Sequence, residues 1–457
     1  MKHIALTLVT SGLLLTGCGS MAPEYKRPDA PVPQSYPGEA GGQRAELAAW
    51  KQVILQPQLQ QLVALTLQNN RDIRISALNI EAAKAQYQIT RADSFPAVNA
   101  TGTNTATGSL DGGNTSHAYE VGVSVPSFEL DFFGRVRSLK NAALDSYLAS
   151  EAAHQTVQMS LVTSTVQAWM QLSADLNGVE QTRNSLNAHM KTLELTRARQ
   201  SRGVASELDV RQAETALQAS RISLIGYQGQ VAQDKNALRL LVGADVPENL
   251  LPDAHALQQP LLADVPAGMP SDLLARRPDI VEAEHNLKAA NANIGAAKAA
   301  FFPKITLTGF AGSASSSLDG LFDNGSGIWR FVPQISLPLF NAGQNQASLD
   351  LAEVRKNQQI ASYEKTIQTA FKEVANALAL RSQLTEQQDA VDGQLKAAER
   401  AQVLAEARYT QGLDSYLPLL DAQRTVDAAR ISQINQLLQK QKNSMYLFQV
   451  LGGKMND

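Results

Sequence analysis

One short stretch occurs twice in this chain, and the repetition limits what the chain can fold into. Ala198, Arg199, Gly203, Ser206 and Leu208 recur in the same order and at the same spacing as Ala407, Arg408, Gly412, Ser415 and Leu417. Each copy follows a long unbroken helical pattern and precedes a shorter one. Each is therefore expected to be the tip of a helical hairpin, bent at Gly203 and Gly412. The match continues outward: Asp72-Ile73 recurs as Asp279-Ile280, Phe95-Pro96 as Phe302-Pro303, and Gly134, Leu238 and Gly243 as Gly343, Leu447 and Gly452. Ordered anchors at nearly one spacing read as a tandem duplication, with repeats over 59–243 and 271–452.

The rest of the chain punctuates these repeats. Prolines at 23, 28, 31, 33 and 37 make residues 18–58 an extended strap. Residues 59–93 are helical in pattern, ending before Phe95-Pro96, because a proline pushes the preceding residue out of the helical region. Residues 95–132 and 302–340 then change period. Ile305, Leu307 and Ala311 alternate with Lys304, Thr306 and Thr308, while Trp329, Phe331, Ile335 and Leu337 alternate with Arg330, Gln334 and Ser336. These segments predict two hairpins whose strands each carry one apolar face. Each strand is long enough, at about ten residues, to cross a bilayer when tilted. Gly108–Ser116 and Gly312–Ser326 are expected as loops. Pro96, Gly134, Pro303 and Gly343 mark the junctions between hairpins and helices.

Residues 135–202 and 344–411 would each be helices of roughly 100 Å if continuous. Ile360, Ile367 and Val374, then Leu384, Val391 and Ala398, keep a seven-residue spacing that implies helices packed side by side. The return helices are expected at 207–241 and 416–451. A proline-rich linker covers 244–270, and 453–457 is a short tail. Aromatic residues are only 5% and charged residues 18% of the chain, which suits long helices. The net charge of −3 gives no basic footprint for a nucleic-acid partner.

The single cysteine, Cys18, excludes an internal disulfide. Met1-Lys2-His3 followed by the apolar run Ile4–Leu15 reads as a cleaved signal peptide over 1–17, too short to span a bilayer. Leu15-Thr16-Gly17-Cys18 resembles the bacterial lipoprotein box, which implies lipidation of Cys18. The alternative is a buried cysteine behind an ordinary signal peptide. In such lipoproteins a residue other than Asp after the cysteine, here Gly19, implies sorting to the outer membrane.

Four strands cannot enclose a pore, and an open sheet edge in lipid leaves backbone groups unpaired at several kcal/mol each. Two copies would give a barrel filled by its own side chains, whereas three give twelve strands and room for a channel. A soluble hairpin on a coiled-coil stalk would show the same alternation. Aromatic residues near the strand ends, Trp329, Phe331, Phe310 and Tyr119, favour a membrane girdle.

The lipoprotein box, Phe128-Glu129-Leu130-Asp131-Phe132-Phe133-Gly134-Arg135, Arg276-Arg277-Pro278-Asp279-Ile280, Ala299-Ala300-Phe301-Phe302-Pro303 and Leu419-Leu420-Asp421-Ala422-Gln423-Arg424 together resemble the outer membrane efflux proteins of Gram-negative bacteria. Within that TolC-like superfamily the chain is similar to the lipoprotein branch. The resemblance implies an α+β membrane protein, a homotrimeric twelve-stranded β-barrel continued by an α-helical coiled-coil tunnel in the periplasm. It implies passive export of drugs or other toxic small molecules. The implied partners are a periplasmic adaptor and an inner-membrane transporter of the resistance-nodulation-division class, with outer membrane lipid around the barrel. It also implies a constriction lined by Leu417 and Asp421. Arg408, Tyr409, Asp209 and Asp414 are candidate links around it.

Catalysis finds no support. Glu284-His285 has no further metal ligand at a suitable spacing, and Gly452-Gly453-Lys454 lacks the first glycine and the Ser/Thr of a phosphate-binding loop. No metal site, cofactor or enzymatic activity is expected. Two other readings stay open: a structural coiled-coil lipoprotein spanning the periplasm, and a protein-secretion duct.

Overall fold

The computed structural model describes residues 20–33, 35–36, 49–265, 274 and 276–455. The signal peptide and Cys18, part of the strap and part of the linker lie outside the described residues. The elements in chain order are α1 (Trp50–Val53), α2 (Pro57–Asn69), α3 (Arg71–Ala92), β1 (Asn99–Thr107), β2 (Ser116–Leu130), α4 (Arg135–Gln200), α5 (Glu207–Val242), α6 (Pro278–Ala299), β3 (Lys304–Ser315), β4 (Gly327–Ser336), α7 (Gln344–Thr410) and α8 (Tyr416–Val450). The sequence helix–strand–strand–long helix–shorter helix runs twice. Two compact units result, one combining residues 1–30, 78–152 and 281–366, the other 31–77, 153–280 and 367–457.

The expected continuous helix over 59–93 is interrupted at Asn70. Its backbone is extended, and its Oδ1 accepts from the N–H groups of Asp72 at 2.7 Å and Ile73 at 3.2 Å. Asn70 therefore caps α3 as an N-terminal side chain should. Its Nδ2 donates to the Leu241 carbonyl at the end of α5. The proline-rich stretch after α5 holds two short 3₁₀ turns, Glu248–Leu250 and Ala256–Gln258. It lies against α4, where Trp169 Nε1 donates to the Leu250 carbonyl and Ser173 to that of Asp253.

The first unit holds an antiparallel sheet in the order β1-β2-β3-β4. Its register separates two faces. Val123, Ala311 and Trp329 form one row, Val125, Gly309 and Phe331 the next, and Leu130, Ile305 and Ile335 another. On the opposite face run Ser124, Phe310 and Arg330, then Glu129, Thr306 and Gln334. Phe310 thus lies mid-strand and away from Trp329 and Phe331, so it does not belong to the aromatic girdle expected with them, because its even position in β3 puts it on the other side of the pleat. A bulge between Val125 and Phe128 preserves this sorting. Pro126 cannot donate a ladder hydrogen bond and sits in the bulge, as prolines within sheets do. The shift brings Phe128 and Leu130 onto the apolar face, and β2 reaches 15 residues, longer than the strand expected. The second loop is also shorter than Gly312–Ser326, because β3 runs on to Ser315. Gly312 faces Gly122 across the ladder, so close that a Cβ on Gly312 would stand 2.2 Å from the Val121 carbonyl oxygen. Glycine here permits backbone approach rather than signalling a turn.

In the same unit the chain just after residue 19 is held on the helices. Arg27 Nη2 pairs with Glu284 at 3.0 Å, Arg27 Nε donates to the Tyr363 hydroxyl, and Asn291 Nδ2 donates to the Pro23 carbonyl.

Candidate functional site

The two tips are built alike. In the first, the Val204 N–H returns to the Arg199 carbonyl at 2.9 Å around Gly203 at φ 75°. In the second, the Leu413 N–H returns to the Arg408 carbonyl at 3.0 Å around Gly412 at φ 78°. This is the left-handed helix stop that glycine takes without steric cost. Beyond the first turn, Ser206 and Asp209 form a reciprocal capping box that starts α5. Beyond the second, Ser415 makes no side-chain cap. There Arg408 braces the turn, with Nε 2.6 Å and Nη2 2.9 Å from the Asp414 carboxylate.

An apolar cluster joins the two hairpins: Leu193 from α4, Val210, Ala213 and Ala216 from α5, Tyr409 from α7, and Tyr416, Leu419 and Leu420 from α8. Tyr409 is 2% exposed. Its hydroxyl lies 2.9 Å from Thr196 Oγ1, which itself donates to the Thr192 carbonyl, so the tyrosine is the donor. Arg199 Nη1 donates to the Tyr409 carbonyl at 2.6 Å, and its guanidinium lies 4.6 Å from the ring centroid. The Tyr416 ring is 5.7 Å away. Burial, then the neighbouring Tyr409, pushes the Tyr416 phenol up to about 12. Further along, Asp427 accepts from Ser185 at 2.5 Å and faces His189 Nε2 at 3.5 Å.

The structure thus places the four candidate links inside the chain's own contacts. Asp209 caps its helix, Arg408 and Asp414 tie one turn, and Tyr409 is packed between hairpins. Arg199 and Thr196, which the sequence reading did not single out as links, complete the connection. Leu417 and Asp421 differ from all of these. Leu417 is 57% exposed and Asp421 is exposed, both on the face of α8 that turns away from the cluster. Among the described residues no basic side chain pairs with the Asp421 carboxylate.

The junction residues lie where strands meet helices. Gly134 at φ 72° and Gly343 at φ 84° make the turns into α4 and α7. Phe133 and Phe302, each beside a junction, stack at 4.8 Å. Asp131 accepts from the Val136 and Arg137 N–H groups at the start of α4. Arg135 grips Glu129 with two hydrogen bonds, and Lys304 adds a third contact at 3.1 Å. Pro96 and Pro303 follow the ends of α3 and α6.

One buried polar network lies apart from these sites. Lys442 Nζ donates to Gln171, Gln171 donates to Asp175, and Gln230 donates to Asp234. Burial, then the hydrogen bond shared with Asp175, pushes the Asp234 carboxyl up to about 6. Burial lowers the Lys442 ammonium against the opposing pull of both carboxylates. The folded state therefore protonates Asp234 more readily than the unfolded chain, so its ionisation opposes folding as pH rises through the window from about 4 to 6. Asp234→Asn is expected to raise stability by about 1–2 kcal/mol above pH 7, a gain that vanishes below about pH 4. Thermal unfolding of both proteins across that range checks it, and an equal gain at every pH would contradict it.

Comparison with known proteins agrees with this architecture. Residues 62–244 and 269–453 match the family described as outer membrane efflux protein. The chain is 46% identical to the probable efflux pump outer membrane protein TtgC of Pseudomonas putida, with 99% of this chain and 96% of that protein covered. A crystal structure of a membrane protein from Pseudomonas aeruginosa superposes with a TM-score of 0.91 at 40% identity, covering 96% of this chain and 99% of the other. The open state of the Neisseria gonorrhoeae MtrE outer membrane channel gives 0.89 at 36% identity, covering 96% and 99%. The chain belongs to the outer membrane efflux protein family.

Proposed function

We propose that this chain is the outer-membrane exit channel of a tripartite efflux pump, conducting drugs or other toxic small molecules passively out of a Gram-negative cell. The observation that carries the reading is the sorting of the sheet. Trp329, Phe331 and Ile335 stand 80%, 59% and 69% exposed in register on one face, while the other is mainly polar, with Ser124, Glu129, Thr306, Gln334 and Arg330 beside Phe310, Val332 and Ile328. An apolar face that wide needs lipid or protein to cover it, and a polar face opposite it suits a water-filled lumen.

On this reading three copies, each a tandem duplication, close a twelve-stranded barrel that continues into a helical periplasmic tunnel. Closure supplies the edge pairing that β1 and β4 lack within one chain. Cys18 carries the lipid anchor. The tips at Gly203 and Gly412 meet a periplasmic adaptor, and a resistance-nodulation-division transporter supplies the energy. Leu417 and Asp421, one turn apart on a bare helix face, become an apolar ring and an acidic ring at the tunnel entrance under threefold symmetry. Efflux naming among the relatives, TtgC included, supports the export role over a structural tether.

The purified full-length protein in planar bilayers tests the function. Stable single-channel steps with a cation preference that Asp421→Ala diminishes are expected. A protein that inserts but never conducts would refute the channel. Native mass spectrometry of the same preparation reads the assembly, with three copies acylated at Cys18 expected and a monomer or an unmodified Met1 contradicting it.

A further inference from the structure

On the polar face of the sheet a charged pair stands near the two long loops. Arg330 is close to the start of β4 and Glu120 close to the start of β2. Arg330 Nη2 donates to Glu120 Oε1 at 2.8 Å, and Nη1 lies 3.5 Å from Oε2. The register sets Arg330 opposite Phe310, whose ring centroid is 5.8 Å from the guanidinium carbon. The next row toward the loops on this face is Thr101, Gly122, Gly312 and Ile328. Arg330, with 52% of its side chain exposed, therefore reaches Glu120 past two glycines, while Ile328 flanks it on its own strand. The other charges in this face's ladder, Glu129 and Lys304, lie at the opposite end of the strands, where Glu129 pairs with both Lys304 and Arg135.

We propose that Arg330, Glu120 and Phe310 form a charge-balancing collar at the loop end of the pore, contacted by small ionic and aromatic cargo as it leaves. The proposal rests on reading the sheet as one third of a barrel. In three copies, three guanidiniums are held against three carboxylates, so the intact collar contributes little net ion preference. Within a narrow pore, fixed charges of one sign raise the local concentration of the opposite ion. Removing either partner exposes three like charges at one level. The guanidinium plane and the Phe310 ring together also offer a stacking surface to a planar aromatic molecule.

Reversal potentials in a potassium chloride gradient test the collar. Arg330→Gln is expected to raise the potassium-to-chloride permeability ratio about two- to fivefold in about 0.1 M salt, with a much smaller change in about 1 M, where charges are screened within about 3 Å. Glu120→Gln is expected to lower the ratio by a similar factor. The double variant should return near the parent value, and Arg330→Lys, which keeps the charge, should match the parent. Variants that conduct normally while both single changes leave the ratio unmoved would overturn the collar and leave the channel standing. A parent protein that forms no channel would instead remove the barrel reading, and the collar with it.

Discussion

In planar bilayers, the combination Arg199→Ser with Tyr409→Phe is expected to raise single-channel conductance at least about threefold over the parent, because these two residues join the two hairpin tips, where the proposed channel has its entrance. Tyr409→Phe removes one buried hydrogen bond, worth about 1 kcal/mol. It does so cleanly, since Thr196 keeps its own acceptor in the Thr192 carbonyl. Arg199→Ser removes a charged donor from the Tyr409 carbonyl, worth about 1.5–3 kcal/mol, together with its cover over the ring. About 3 kcal/mol of lost linkage per chain is enough to move a two-state equilibrium about 150-fold. Tyr416, Leu419 and Leu420 keep the hairpins folded, so the tip loosens without unfolding. Arg408→Ser in place of Arg199→Ser unties only the turn held by Asp414, and a smaller rise is expected from it. If Arg199→Ser with Tyr409→Phe left conductance at the parent value, the hairpin connection would not control the entrance.

The two arginines show how far the chain could be read in advance. They occupy the same place in the two copies of the turn, and both were visible as anchors of the repeat. Arg408 has Asp414 six residues on, whereas the matching residue in the first copy is Ala205. Arg199 therefore has no local carboxylate and reaches across to the other hairpin. That choice depends on Tyr409, far away in sequence, where the first copy has Gln200. The repeated glycines were more legible. Gly134, Gly203, Gly243, Gly343, Gly412 and Gly452 all take positive φ, so their recurrence records a backbone need that is local and independent of packing. Strand phase was legible for the same reason, since alternation of Trp329, Phe331 and Ile335 is fixed by the pleat. The break at Asn70, the bulge at Pro126 and the close passage of Gly122 and Gly312 were not. Each depends on a partner strand or helix that a linear pattern does not show.

Replacing Arg277 by Met is expected to cost about 3–5 kcal/mol, since it removes one partner from a buried ionic cluster. Arg277 is 8% exposed. Its Nε and Nη2 hold the two oxygens of Asp279 at 3.0 and 2.7 Å, Nη2 also reaches Glu373 at 3.0 Å, and Nη1 donates to the Val450 carbonyl at 2.9 Å. One guanidinium thus joins the start of α6, the middle of α7 and the end of α8. Methionine has a similar stem but no donor, so two carboxylates would face each other half-buried and a helix-end carbonyl would lose its partner. Lysine retains the charge but offers a single ammonium where a planar fork makes four contacts, so Arg277→Lys should recover only part of the loss. Gly452, at φ 78°, brings the chain after α8 against this side chain, where an added Cβ would meet Arg277 Cγ at 3.2 Å. The cluster therefore has little room to rearrange around a substitute. Thermal unfolding in detergent should show Arg277→Met melting about 5–10 °C below the parent, with Arg277→Lys between them. A midpoint for Arg277→Met within a degree or two of the parent would mean that Asp279 and Glu373 find other partners, and that the cluster is not what holds these three helices together.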